Sequence, residues 1–563
     1  MNGKYILAAG AAAFALGAFA DFEINLDLSG KPVKDARATK CGPMVGYAGC
    51  SGSGNGWGTD EFVFEEDKVQ TSWAMKSSGA YFQRMWNAQD WFRKSRQKGK
   101  DGKMLANPDV AFKFWRANGI KVLFTVEGWS WPKDRSVVEF AEWVASNKYE
   151  DVVAGFELGN ETYGASIPNQ KVIAGKWNEI VPILRKVAPK IELGIPIGEY
   201  FVNDPDVKQI RDRLLADKKI DSKGYFDARE MNRNTAVFIT SFKPEVLKSI
   251  SHNIYHCYGA ETPYSCSYYG YKRYRAFEEA FPEIKGKKWW LSEIRPRSDE
   301  DNRCQRMFRE ALIMGHYSLM TIVQPEVDGF NHHQIFALSG GIYESNGRNW
   351  MIQWRDAGGD LPDMRAPMNR TRLDIGAMGV VYRILAEGIL QHPLFFHHGT
   401  SKEMDTEDTF YTSARFTDEV YAQRRARKEG KKGVFGGKDI PAVKGEVEWL
   451  AATDPGRSEL CLLMVNSKGA AETVTVTVPG RQFAAPTYRT VSCPERFLDC
   501  REIPGEAKPW KELAWEETQF GYDVVPMEKY EGMKPASDVL AVTIEPHTVQ
   551  TVTVVMRGAP KKK

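Results

Sequence analysis

Two textures of hydrophobic patterning divide this chain. From about residue 39 to 390, short apolar runs alternate with stretches of helical periodicity. Past residue 391, short β-prone runs follow one another between Gly, Pro, Asn and Ser. The first pattern predicts βα units on a parallel sheet. Apolar runs at 44–47, 80–87, 120–126, 152–158, 191–197, 253–258, 288–292 and 320–323 supply eight strands. Between them, Asn107 and Pro108 open a helix that Gly119 stops, and 136–146, 171–187 and 372–390 read as further helices. Eight such units close into a (β/α)8 barrel. The second pattern predicts an antiparallel β-sandwich. An alternating run at 22–28 reads as one more half-buried strand, able to join that sandwich. The predicted organisation is therefore a leader at 1–20, a linking strand at 21–38, the barrel at 39–390, a C-terminal sandwich at 391–557 and a basic tail at 558–563.

The first twenty residues change the picture of where the chain works. Lys4, an Ala- and Leu-rich run and Ala18-Phe19-Ala20 form the pattern of a cleaved secretory signal. A secreted or periplasmic protein is expected, with no stable membrane insertion after cleavage. A formal charge of +3 over 563 residues argues against a nucleic-acid partner. The 16 Trp fit a core, and equally fit ring faces for sugar recognition. Among eight Cys, the close pairs 41/50, 257/266 and 493/500 suit short-loop disulfides in an exported chain, while Cys304 and Cys461 read as buried thiols. His332 and His333 are adjacent in a strand-like run, where neighbours face opposite ways, so no metal and no cofactor is expected.

Candidate chemistry sits at strand ends. Gly-Phe-Glu-Leu-Gly-Asn160-Glu161 and Trp289-Trp290-Leu-Ser-Glu293 each close an apolar run with a carboxylate. In a barrel, that position stands in the mouth of the cleft. Two carboxylates there can divide glycoside hydrolysis between them: one protonates the leaving oxygen and the other attacks carbon or activates water. Asn160 offers an amide to a sugar hydroxyl, and Arg84, Tyr258 or Arg295 could keep Glu293 ionised. Trp86, Trp129, Trp131 and Tyr200 are candidate stacking platforms. Glu127 and Glu199 are further carboxylates for substrate hydroxyls, Arg297 could read an acidic sugar, and His332 could line the mouth.

These phrases resemble the retaining glycoside hydrolases built on a (β/α)8 barrel, known as clan A. The Gly-Asn160-Glu161 phrase is similar to that of the heparanase-like β-glucuronidases and of the β-xylosidase and α-iduronidase group. The resemblance implies Glu161 as acid/base, Glu293 as nucleophile, Arg84 from strand two, His256 and Tyr258 from strand six, and a β-sandwich after the barrel. A poly- or oligosaccharide substrate follows, with uronic or sulfated polysaccharides among the candidates. Three other readings stand beside it. One is a carbohydrate-binding barrel without activity. Another is a polysaccharide lyase working through His256 and Tyr258. The third is a serine esterase at Gly49-Cys-Ser51-Gly-Ser53, a sequence that departs from the nucleophile-elbow spacing.

Overall fold

A computed structural model describes residues 22–38, 45–49, 82–85, 88–94, 96–98, 108–162, 167–197, 228–258, 278, 281–295, 308–333, 352–356, 371–375, 377–401, 447–492, 523–529 and 537–558. Eight parallel strands close on themselves: Val45–Gly49, Phe82–Met85, Lys121–Val126, Val153–Leu158, Leu193–Pro196, His252–Tyr258, Lys288–Arg295 and Val327–His333. They are barrel strands one to eight below. Strand eight pairs back onto strand one, from Phe330 opposite Val45 to His333 opposite Ala48. The eight-stranded barrel expected from the alternation is therefore present.

Strands three and four are buried almost end to end, which is why they read as continuous apolar runs. Their outward side chains meet the helices. Phe124 and Phe156 lie 5.2 and 5.5 Å, centroid to centroid, from Phe140 of the helix Ser136–Ser146. Their inward side chains alternate with these and include Leu123, Thr125 and Glu157.

The barrel interior is filled around Trp290, which is fully buried with Phe82, Leu123 and Ile254. Room for the indole comes from glycines on strands four and five. A Cβ at Gly155 would lie 2.1 Å from Trp290 Cη2, and one at Gly194 would lie 2.8 Å from Trp290 Cε3. The His252 ring stacks on the indole at 3.8 Å, and its Nε2 meets Asp328 Oδ2 at 3.0 Å. Gly155→Ala is expected to destabilise the protein by about 1–3 kcal/mol through overpacking. Thermal unfolding checks this, and Trp290→Phe in the same chain should recover part of the loss.

Two expectations about the last unit are corrected. The run 320–323 is not the eighth strand: it lies at the end of the helix Phe308–Ile322, and strand eight is Val327–His333. That helix packs between strand eight and the sandwich, so it is apolar on nearly every side and carries no helical signature of its own. Residues 371–375 form a strand paired antiparallel with Ile352–Asp356, and the last barrel helix begins only at Ala377.

The sandwich consists of an eight-stranded sheet and a three-stranded sheet. In the smaller sheet, Phe22–Asn25 pairs parallel with Glu472–Thr477, which pairs antiparallel with Val539–Ile544. Ile24, Val474, Val542, Leu462 and Val552 fill the space between the sheets. Barrel and sandwich meet through buried polar contacts as well as apolar ones. His316 Nδ1 lies 2.8 Å from Glu448 Oε2 with both side chains fully buried. Lys34 donates to the carbonyls of Ile322, Gln324 and Val327 at 2.7, 3.0 and 2.6 Å, satisfying the C-terminal end of the barrel helix. Cys461 is a free thiol in the core, its pKa pushed up to about 12 by burial. The other Cys side chains, the leader, the basic tail and the near-elbow serines lie outside the described residues.

Candidate active site

The end of strand four carries the sharpest local geometry. Gly159 has φ +95° and Glu161 φ +47°, so the chain turns twice through the left-handed region within three residues. Glycine adopts that region freely, while a glutamate there costs about 1–2 kcal/mol. The turn is held from strand three: Gly159 N–H donates to the Val126 carbonyl at 2.8 Å, and Asn160 N–H to Glu127 Oε1 at 3.0 Å. Glu161 leaves this turn with a third of its side chain exposed.

Strand seven delivers the second carboxylate through a bulge. Leu291 lies opposite Tyr255 and Glu293 opposite His256, so the strand gains one residue between them. Simple alternation would turn Ser292 and Glu293 to opposite faces. The bulge lets both reach the interior. Ser292 Oγ lies 2.9 Å from His256 Nε2, and Glu293 Oε2 lies 3.5 Å from His256 Nδ1. The same Nδ1 is 3.1 Å from Glu161 Oε1. One oxygen of Glu161, a ring nitrogen of His256 and one oxygen of Glu293 all lie within 4.8 Å of one another.

Arg84, from strand two, ties this pair to the barrel floor. Its guanidinium grips Glu157 with Nε to Oε2 at 2.6 Å and Nη2 to Oε1 at 2.9 Å. It also donates to Asn160 Oδ1 at 2.7 Å and to Glu293 Oε1. The Thr125 hydroxyl adds a bond to Glu157 Oε2 at 3.0 Å, and His256 Nε2 stands 3.3 Å from Glu157 Oε1.

The charges follow from this packing. Burial opposes charging Glu157, but Arg84 and His256 outweigh it and hold the carboxyl below its usual range. Burial likewise opposes an imidazolium at His256, yet Glu293, Glu157 and Glu161 lift its pKa to about 10. These three carboxylates, all within 3.5 Å of its ring nitrogens, favour His256 as a cation at neutral pH. Glu161, His256 and Glu293 are close enough to share a metal ion. The imidazolium proton and the Arg84 guanidinium already occupy that negative field, so the donor set fits a cation poorly.

Other candidates fall in different places. Trp129 is 37% exposed beyond strand three. Trp131 is only 9% exposed, donates its indole N–H to Glu179 at 2.8 Å and packs with the barrel core. Tyr258, Arg295 and His332 lie on strands six, seven and eight, with their side chains outside the described residues. Trp86, Glu199, Tyr200 and Arg297 lie outside the described residues altogether. Sequence reasoning missed Glu157, Thr125 and Ser292. The available signal was a charged residue inside the apolar run Val-Ala-Gly-Phe-Glu-Leu, on the face opposite Phe156.

No protein-family model matches the chain, and no curated protein sequence matches it. Solved structures do. An α-L-arabinofuranosidase from Thermotoga maritima, in complex with arabinose, matches with a TM-score of 0.55 at 12% identity, over 95% of this chain and 100% of that one. A family 51 α-L-arabinofuranosidase from Bifidobacterium longum matches at 0.54 and 11% identity, over 94% of this chain and 99% of that one. A glucosidase from Croceicoccus marinus matches at 0.52 and 9% identity, over 95% of this chain and 99% of that one. At these identities the likeness is one of fold, and it extends through the barrel and the β-rich C-terminal part alike.

Proposed function

We propose that this protein is an exported glycoside hydrolase that cleaves a poly- or oligosaccharide with retention of configuration. The observation that carries the reading is the convergence of Glu161 and Glu293 on one imidazole, with oxygens within 4.8 Å of each other. Inverting enzymes hold their carboxyl groups about 6.5–9.5 Å apart to admit water, whereas retaining ones need about 5–5.5 Å. In the first step, Glu293 attacks the anomeric carbon while Glu161 gives its proton to the departing oxygen. In the second, Glu161 takes a proton from water, which displaces Glu293 from the sugar. Arg84 and the His256 imidazolium face the Glu293 carboxylate, which favours the ionised form that attacks in the first step and departs in the second. That charge state also weighs against the lyase reading, because a protonated ring has no lone pair with which to take a proton from a uronic sugar.

The arabinofuranosidases and the glucosidase among the structural neighbours support a carbohydrate substrate. Arg84 is committed inside the site by Glu157, Asn160 and Glu293. A uronic or sulfated sugar would therefore be read by another cation, for which Arg295 and Arg297 are the candidates. Two measurements test the reading. Proton NMR of the first product should show the anomer of the substrate. Glu293→Gly with azide and an aryl glycoside should give the glycosyl azide of opposite configuration. A first product of inverted configuration would rule out double displacement.

A further inference from the structure

Glu127, at the end of strand three, has no part in the two-step mechanism, yet its carboxyl is built into the acid/base turn. Its Oε1 accepts the Asn160 N–H at 3.0 Å, one residue before Glu161. Its Oε2 is buried and has no hydrogen-bond partner among the described residues. It lies 3.7 Å from where a Cβ on Gly159 would stand. Its own backbone carbonyl accepts from Gln89 Nε2 at 3.5 Å, and Gly128 behind it packs against Trp177 and Ile180. The backbone that carries the carboxyl is therefore anchored, and the carboxyl itself touches the left-handed turn that carries Glu161.

We propose that Glu127 is a positioning residue, which holds the Gly159–Glu161 turn through the Asn160 amide and does so in its neutral form. This rests on the reading of Glu161 as acid/base. An ionised Glu127 would bury a charged oxygen without a donor and would add a negative charge beside Glu157. The charged groups facing it are Glu157 from strand four, Arg84 from strand two and Asp90 from the helix Ala88–Lys94. Burial above all, with Glu157 and Asp90 adding to it, raises the Glu127 pKa from 4.5 to about 7, against the pull of the Asn160 amide and Arg84. The stability that this neutral, buried carboxyl lends the turn is complete below its ordinary value of 4.5 and is lost as pH rises through about 7, where burial and the facing carboxylates oppose its charge.

The test compares Glu127→Ala and Glu127→Gln with wild type. Misplacing a catalytic group by about 1 Å can cost about 100-fold. Glu127→Ala should therefore lower kcat by about 10- to 100-fold with KM little changed. Glu127→Gln retains an oxygen for the Asn160 amide and should restore kcat at pH 6. It should also remove from the alkaline side of the pH profile the ionisation expected near 7 in wild type. Hydrogen exchange at the Asn160 amide should speed up in Glu127→Ala and stay slow in Glu127→Gln, and it needs no substrate. Unchanged exchange in Glu127→Ala, or unchanged kcat in an active background, overturns the proposal. A wild-type protein with no turnover on any glycoside defeats the glycosidase reading instead, and the exchange measurement still decides whether Glu127 holds the turn.

Discussion

Glu293→Gln is expected to lower kcat/KM by more than about 10⁴-fold while leaving thermal unfolding within a few degrees of wild type. General acid or base assistance typically contributes about 10²–10⁴-fold. Loss of the proposed nucleophile should exceed that range, because the two-step route would be removed and not merely slowed. The amide oxygen of Gln can still accept from Arg84, so the guanidinium stays in place. Glu161→Gln should behave differently. It should lose about 10²–10⁴-fold on substrates with poor leaving groups, and far less on dinitrophenyl glycosides, whose leaving group departs unprotonated. With those activated substrates the second step becomes limiting, so a burst of phenol should precede slow turnover. Steady-state and stopped-flow kinetics on a leaving-group series separate the two residues. Equal losses for both variants across the series would mean that Glu161 is not the proton donor.

Why were these two carboxylates visible in the sequence while the groups between them were not? Each stands just beyond or at the end of an apolar strand, where local pattern alone marks it as facing the mouth. Reading Glu157 required the register of the whole barrel, because its partners Arg84, Thr125 and His256 come from strands two, three and six. The bulge that turns Glu293 inward is likewise a property of strand pairing and not of strand seven itself. Strand eight shows the same limit from the other side. Val327–His333 carries Asp328, Asn331 and two His, so it looks too polar for a barrel wall. Asp328 is nonetheless almost fully buried against His252. The adjoining helix, buried between strand eight and the sandwich, shows the apolar run that a strand would. Trp290 was visible only as an aromatic, and its place inside the barrel depends on Gly155 and Gly194, both distant in sequence.

Arg84→Met should produce the largest loss of stability of any single change in the site, about 3–5 kcal/mol, the usual consequence of removing one partner of a buried ion pair. Arg84 is 3% exposed and Glu157 not at all, so water cannot replace the lost contacts. Among the described residues, Glu157 would keep the Thr125 hydroxyl and His256 as partners. Adding Glu157→Gln should then recover about 1–3 kcal/mol, because an unpaired buried charge becomes a neutral amide. Chemical denaturation of the two single variants and the double variant measures this coupling directly. The pH dependence gives an independent check. The lowered Glu157 pKa supplies stability that is complete above its ordinary value of 4.5 and is lost as pH falls through the folded value. The raised His256 pKa supplies stability that is complete below 6.5 and is lost as pH rises towards about 10. The network is therefore at full strength only between about 4.5 and 6.5. The gap in stability between wild type and the Arg84→Met/Glu157→Gln double variant should be widest in that window and should narrow on both sides of it. A gap that stays constant from pH 4 to 9 would mean that the titrations of Glu157 and His256 are not coupled to folding through Arg84.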